Sequence, residues 1–117
     1  MTASILIVDD HEIFCFGLAT QVERYLGFRV LPCIRDGKET IEFFENGNRA
    51  DLLVLDLELP KVSGFAVLEY LRKSKTKVRK LVLTSHANVF TASKCRNLGA
   101  HGLLDKLNPI KKILATI

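Results

Sequence analysis

Asp51-Leu-Leu-Val-Leu-Asp56-Leu-Glu-Leu-Pro60-Lys-Val-Ser-Gly64 is the stretch on which the fold turns. Its apolar run, Leu52 to Leu55, is long enough for a strand buried on both faces, and it stops at a carboxylate where the chain must enter a loop. Pro60 cannot donate to a ladder, and Gly64 frees the backbone just before apolar helical spacing resumes at Phe65, Leu68 and Leu71. Asp56 is therefore predicted at the C-terminal end of a strand, with a helix following from about Ser63 to Lys73.

The same grammar recurs on either side. Ile5-Leu-Ile-Val8 runs into Asp9-Asp10, Leu81-Val-Leu83 into Thr84-Ser85, and Gly102-Leu-Leu104 into Asp105-Lys106. Apolar runs that stop at polar residues, with helix-like segments between them, form a right-handed βαβ series. The remaining strand is predicted over Phe28 to Ile34. Pro32 argues for an edge position, which is where strand 2 lies in the flavodoxin-like order 2-1-3-4-5. The fold class is α/β, a doubly wound five-stranded parallel sheet.

Helix 1 follows from Ile13, Phe14, Leu18, Val22 and Leu26, with Gly27 as its stop. Asp36 and Glu39 resemble a capping box ahead of Ile41, Phe43 and Phe44, and Asn46-Gly47-Asn48 closes that second helix. A strand over about Lys80 to Thr84 precedes helix 4, His86 to Leu98, which has only Val89, Phe90, Ala92, Cys95 and Leu98 to bury before Gly99 ends it. It is predicted to be less firmly packed than its neighbours. Asn108-Pro109 offers a cap and an N1 proline for a last helix carrying the stripe Ile110, Ile113, Leu114 and Ile117.

A chain of 117 residues without repeats, low-complexity tracts or linkers reads as one domain. The formal charge is +4, and six basic residues fall between Arg72 and Lys80 (Arg72, Lys73, Lys75, Lys77, Arg79, Lys80). This run has no interleaved aromatics and links a helix to a strand start, so it reads as a solvated loop at the far end of the sheet and not as a nucleic-acid surface. The three cysteines, Cys15, Cys33 and Cys95, have no metal-like spacing and read as small apolar residues in a reducing compartment. The first apolar run is too short for a signal peptide, and no segment approaches the roughly 20 apolar residues of a membrane span. A cytoplasmic location without membrane contact is expected.

In an open parallel sheet the ligand crevice lies beyond the carboxyl ends of the strands. Here that rule brings together Asp9, Asp10, Asp56, Thr84 and Lys106. Several carboxylates at close range raise one another's pKa unless a cation relieves them, and an all-oxygen set suits a hard ion such as Mg²⁺. Taken singly, each aspartate could be a strand-end or capping residue. His11 reads as a helix-start residue at the pocket rim, because a hard-ion site does not select imidazole. His86 and His101 have no partner spacing.

The chain resembles the receiver domains of two-component response regulators along its whole length. The carrying motifs are Asp9-Asp10, the Asp56 loop with Pro60 and Gly64, Thr84-Ser85, and Gly99-Ala100-His101-Gly102-Leu103-Leu104-Asp105-Lys106. The opening Asp-Asp-His-Glu, with Phe14 and Gly17-Leu18, is most similar to the branch that carries a helix-turn-helix DNA-binding output domain. The resemblance implies that residues 1–117 are a receiver domain, with an output domain outside this sequence. It implies that Asp56 accepts a phosphoryl group from the histidine of a sensor kinase or a phosphotransfer protein. Mg²⁺ would be held by Asp9, Asp10, Asp56 and the backbone carbonyl of Glu58, Lys106 would contact a phosphoryl oxygen, and Thr84 would donate to another after transfer. It further implies dimerisation on phosphorylation, DNA contact only through the output domain, and stoichiometric self-phosphorylation and self-dephosphorylation in place of enzymatic turnover. One departure stands out: the strand 5 position that in this family usually carries Tyr or Phe is Leu103.

Two other classes share parts of this pattern. A haloacid-dehalogenase-type phosphatase would use Asp56, Glu58, Thr84 and Lys106, but it needs a further acidic pair after the lysine, a nucleophile near the chain start and a cap insertion. A flavodoxin-like cofactor binder needs a Gly-, Ser- or Thr-rich phosphate loop after strand 1, where this chain has Asp9-Asp10-His11-Glu12.

Overall fold

The apolar runs become a parallel sheet in the computed structural model, which describes residues 2–117. The strands are β1 (Ser4–Val8), β2 (Arg29–Val30), β3 (Leu52–Leu55), β4 (Arg79–Thr84) and β5 (Gly102–Asp105), in the order β2-β1-β3-β4-β5. Helices α1 (Glu12–Leu26), α2 (Gly37–Glu45), α3 (Gly64–Lys73), α4 (Val89–Asn97) and α5 (Ile110–Thr116) alternate with them. All neighbouring strands run parallel, so each connection crosses over through a helix and all C-terminal strand ends share one edge. The register pairs Val8 with Leu55 and Thr84 with Asp105, which sets Asp9 beside Asp56 and Lys106 just past Thr84.

Successive strand side chains point to opposite faces, and the core divides accordingly. Leu6, Val8, Leu53, Leu55 and Val82 pack with Phe44, Val67, Leu68, Leu71 and Cys95 from α2, α3 and α4. Ile5, Ile7, Val54, Leu81 and Leu83 pack with Cys15, Leu18, Val22 and Ile113 from α1 and α5. Both faces being covered is why the strand runs are continuously apolar. Among the described residues, no helix is long and apolar enough to cross a membrane.

Local signals explain most boundaries. Gly27 caps α1 with φ of 69°, a left-handed conformation that suits glycine. The Asp36 carboxylate accepts from the Glu39 N–H at 2.7 Å, and Ser63 Oγ accepts from the Ala66 N–H at 3.3 Å. At Gly64 the requirement is space and not freedom of φ: a Cβ there would run into the Asp56 carbonyl and the Leu57 backbone.

Several expectations need correction. The predicted strand Phe28–Ile34 shrinks to Arg29–Val30 plus an isolated bridge between Val8 and Ile34, because the chain carries one extra residue between the Leu31 N–H on the Ile5 carbonyl and the Ile34 N–H on the Ile7 carbonyl. Helix α4 begins at Val89 and not His86, since the Asn88 side chain takes the Thr91 N–H at 2.8 Å and fixes the start there. Val89 and Phe90 are then 87% and 79% exposed, so Cys95 is the one residue α4 fully buries. Ile13 is likewise exposed, and the buried face of α1 is Cys15, Leu18 and Val22. Pro109 is itself the cap of α5, while the Asn108 side chain donates to the Asp105 carbonyl. Lys80 does not belong to the solvated basic loop: it is buried in β4 with its ammonium on the Val78 carbonyl at 3.1 Å, and burial lowers its pKa.

Cys15 and Cys33 are joined in a disulfide with a Cα–Cα distance of 6.7 Å, which overturns the reading of them as separate apolar residues. The buried face of α1 meets the segment after β2 at this point. An ion pair from Arg35 to Glu12 at 2.7 Å ties the same two segments. Cys95 is free and buried, as read.

Candidate functional site

The C-terminal ends of β1, β3, β4 and β5 bring Asp9, Asp56, Thr84 and Lys106 to one edge, as the strand-end rule requires. Asp9, Asp56 and Thr84 are buried, and the Lys106 side chain is 7% exposed. The Lys106 ammonium lies 2.6 Å from Asp9 Oδ2 and 3.2 Å from Asp56 Oδ2, and 4.7 Å from the centre of the Phe14 ring. Such a bridge is the arrangement that lets two carboxylates share a low-dielectric pocket. The other Asp56 oxygen, Oδ1, accepts the Glu58 N–H at 3.3 Å. Asp10, at the exposed rim, completes the acidic set with Asp9 and Asp56.

Protonation follows from these contacts. Burial is the main cause of a raised Asp56 pKa, and the neighbouring Asp9 charge adds to it, while Lys106 and the Glu58 N–H work against both. Burial acts to lower the Lys106 pKa, yet Asp9 and Asp56 outweigh it and the net direction is upward, so the ammonium persists. One ligand atom from each of Asp9, Asp10, His11 and Asp56 lies within 4.8 Å of the others, a set that could hold a metal ion. Three of these donors are carboxylates, which fits a hard divalent cation.

Two residues take roles that sequence spacing did not assign. His11 is the N-cap residue of α1, as read, but its ring lies inside the cluster: Nδ1 is 3.0 Å from Asp9 Oδ1, 3.3 Å from Asp10 Oδ1 and 3.0 Å from the Lys106 ammonium. Nδ1 donates to a carboxylate in one tautomer and accepts from Lys106 in the other. The Glu58 side chain is the second. Its Oε1 accepts the Thr84 hydroxyl at 3.0 Å and faces His86 Nδ1 at 2.8 Å, while the His86 N–H donates to Thr84 Oγ1 at 3.1 Å. Burial acts to raise the Glu58 pKa, but the bonds from His86 and Thr84 outweigh it and hold the carboxyl below its ordinary range. His86, without partner spacing in sequence, finds its partner across the loop. His101 lies at the opposite end of the sheet, where its Nδ1 accepts the Lys80 N–H at 3.0 Å.

The same geometry bears on the other two chemistries. After β1 the Asp9 N–H is taken by the Ile34 carbonyl at 3.0 Å and the His11 N–H by Asp9 Oδ1 at 2.8 Å, which withdraws both amides from a phosphate cradle. Beside Lys106, the Asp105 carboxylate is occupied by the Leu107 N–H at 2.8 Å. Leu103 is partly buried against the core, next to a recess of about 330 Å³ lined by Ala92, Cys95, Ala100 and His101.

Residues 5–117 match the family described as response regulator receiver domain. Fimbriae Z protein of Salmonella typhimurium is 28% identical over 111 residues, which are 95% of this chain and 52% of that protein. The virulence-factor transcription regulator BvgA of Bordetella pertussis is 29% identical over 114 residues, 97% of this chain and 54% of its own. The chain thus spans about half the length of these relatives. Among solved structures, a response regulator from Burkholderia pseudomallei with a phosphorylated aspartic acid, calcium ion and citrate is 29% identical. It superposes with a TM-score of 0.83 over 97% of this chain and 65% of that one. The receiver domain of a LuxO repressor protein from Vibrio parahaemolyticus shares the fold at 22% identity, with a TM-score of 0.90 over 99% of this chain and 87% of that one.

Proposed function

This chain belongs to the response regulator receiver domain family, and from that premise we propose that Asp56 is its phosphoacceptor. The observation that carries the reading is the buried Asp56 carboxylate at the end of the central strand, 3.2 Å from the Lys106 ammonium. An Asp56 oxygen attacks phosphorus on a phosphohistidine, the P–O bond forms as the P–N bond breaks, and the imidazole leaves. The chain's part is positioning and charge neutralisation more than covalent chemistry. The Glu58 N–H orients one Asp56 oxygen. Lys106, whose charge now offsets Asp9 and Asp56, serves a phosphoryl oxygen as a fixed cation, and Thr84 supplies a hydroxyl to another.

Asp9, Asp10, Asp56 and the backbone carbonyl of Glu58 would hold Mg²⁺. The bound ion supplies positive charge to the phosphoryl oxygens. The calcium ion in the Burkholderia relative and the carboxylate donor set here support a hard cation. The reaction is stoichiometric, one phosphoryl group per Asp56, and not a turnover. The donor is a sensor histidine kinase or a histidine phosphotransfer protein. Phosphorylation promotes homodimerisation and controls transcription through a helix-turn-helix domain outside this sequence, in the cytoplasm and without membrane contact. The Bordetella pertussis relative, a transcription regulator by name, supports the transcriptional output.

Incubation with a small phosphodonor and Mg²⁺, followed by mass spectrometry, tests the assignment. The wild-type chain gains one phosphoryl group and Asp56→Asn gains none. Equal uptake by the variant would overturn it.

A further inference from the structure

We propose that the Glu58 side chain is a latch: in the resting state it holds the Thr84 hydroxyl, and occupation of Asp56 takes that hydroxyl away from it. The inference rests on the reading of Asp56 as phosphoacceptor. Thr84 is fully buried, and its Oγ1 donates to Glu58 Oε1 at 3.0 Å while accepting the His86 N–H at 3.1 Å. A hydroxyl has a single hydrogen. While Glu58 holds it, Thr84 has none to offer a phosphoryl oxygen. The same Oε1 faces His86 Nδ1 at 2.8 Å, so one carboxylate oxygen fastens both the end of β4 and the loop leading into α4.

A phosphoryl group on Asp56 changes this balance at close range. Glu58 is two residues from Asp56, its own N–H points at Asp56 Oδ1, and new negative charge there repels its carboxylate. The Thr84 hydroxyl exchanges one anionic acceptor for another. Glu58 then leaves, His86 loses its ring partner, and the loop from Ser85 to Asn88 is freed. Glu58 is thus a positioning residue that sets how readily the hydroxyl transfers. Its backbone carbonyl, assigned above to the metal, is untouched by side-chain substitution.

Beryllofluoride with Mg²⁺, a phosphoryl mimic, is the probe, and a double-mutant cycle with Thr84→Val separates a latch from a diffuse charge effect. Removing a hydrogen bond to a charged acceptor that exists only in the resting state should tighten beryllofluoride binding about tenfold in Glu58→Ala. Glu58→Gln, which keeps an acceptor, should fall between wild type and Glu58→Ala. In the Thr84→Val background the Glu58→Ala change should tighten binding clearly less than it does beside Thr84, because only the charge repulsion and no held hydroxyl remains to be relieved. In NMR spectra of the metal-free protein, the Thr84 and His86 amide signals of Glu58→Ala should move toward their beryllofluoride-bound positions. Equal tightening in both backgrounds, or none in either, overturns the latch while Asp56 stands. If the wild type fails to bind beryllofluoride, or Asp56→Asn binds it equally well, the phosphoacceptor reading falls and the latch with it.

Discussion

Helices α3 and α4 pack on the same face of the sheet, and they are held to it very differently. Helix α3 has a serine cap, buries Val67, Leu68 and Leu71, and abuts the Asp56 carbonyl at Gly64. Helix α4 has a comparable asparagine cap but buries Cys95 alone, with Val89 and Phe90 turned to solvent. Both ends of the site therefore have well-defined starts, and only one has an anchored body. Asp56 sits on the anchored side. Thr84, at the end of β4, leads through Ser85 to Asn88 into the loosely held helix, where local opening is least costly.

The comparison can be tested most severely at Leu68. This side chain is fully buried, and Leu68→Ala should lower unfolding free energy by about 2–5 kcal/mol in urea denaturation, through lost burial and the cavity left behind. A loss below about 1 kcal/mol would mean that α3 is no better anchored than α4. Next comes the Cys15–Cys33 bond, which closes a loop with a sequence separation of 18 and braces α1 against the segment after β2. Reduction should cost about 3 kcal/mol of stability, while Cys33→Ser should be insensitive to reductant.

A third expectation concerns charge at the anchored end. The Asp56 pKa is raised from its ordinary value of 3.8, chiefly by burial. Between that value and the raised one the folded state binds more protons than the unfolded chain, so stability falls as pH rises through the window. Denaturation in metal-free buffer should show Asp56→Asn gaining on wild type as pH rises from about 4 toward neutrality. A constant difference across that range would remove burial as the cause. The smallest effect belongs to α4: Phe90→Ala should change stability by less than about 0.5 kcal/mol, measured as for Leu68.

Much of this was legible in the sequence because strands that are buried on both faces write themselves as apolar runs, and the residue after each run marks the site edge. Asp9, Asp56, Thr84 and Lys106 all lie where that rule put them. What failed depended on contacts distant in sequence. Pro32 signalled an edge strand, but not that only two residues would pair. Nothing in an 18-residue separation marks Cys15 and Cys33 as neighbours, since their meeting depends on how α1 lies across the sheet. Val89 and Phe90 are apolar without being core, and no periodicity in so short a helix reveals which way they face. Glu58 and His86 are 28 residues apart, and their contact follows from β3 lying next to β4.

The absence of a side chain at Gly64 carries a mechanical consequence. With no Cβ between them, the first turn of α3 and the peptide of Asp56 are in direct backbone contact, fastened by the Gly64 N–H on the Leu57 carbonyl at 2.9 Å. Helix and Asp56 consequently form one rigid lever, and the carboxylate takes its coordinates from a 10-residue rod instead of a flexible loop. A larger residue at this position would act as a wedge. Besides loosening the fold, it would displace Asp56 relative to Lys106, so the damage would register as a misplaced carboxylate even in molecules that remain folded.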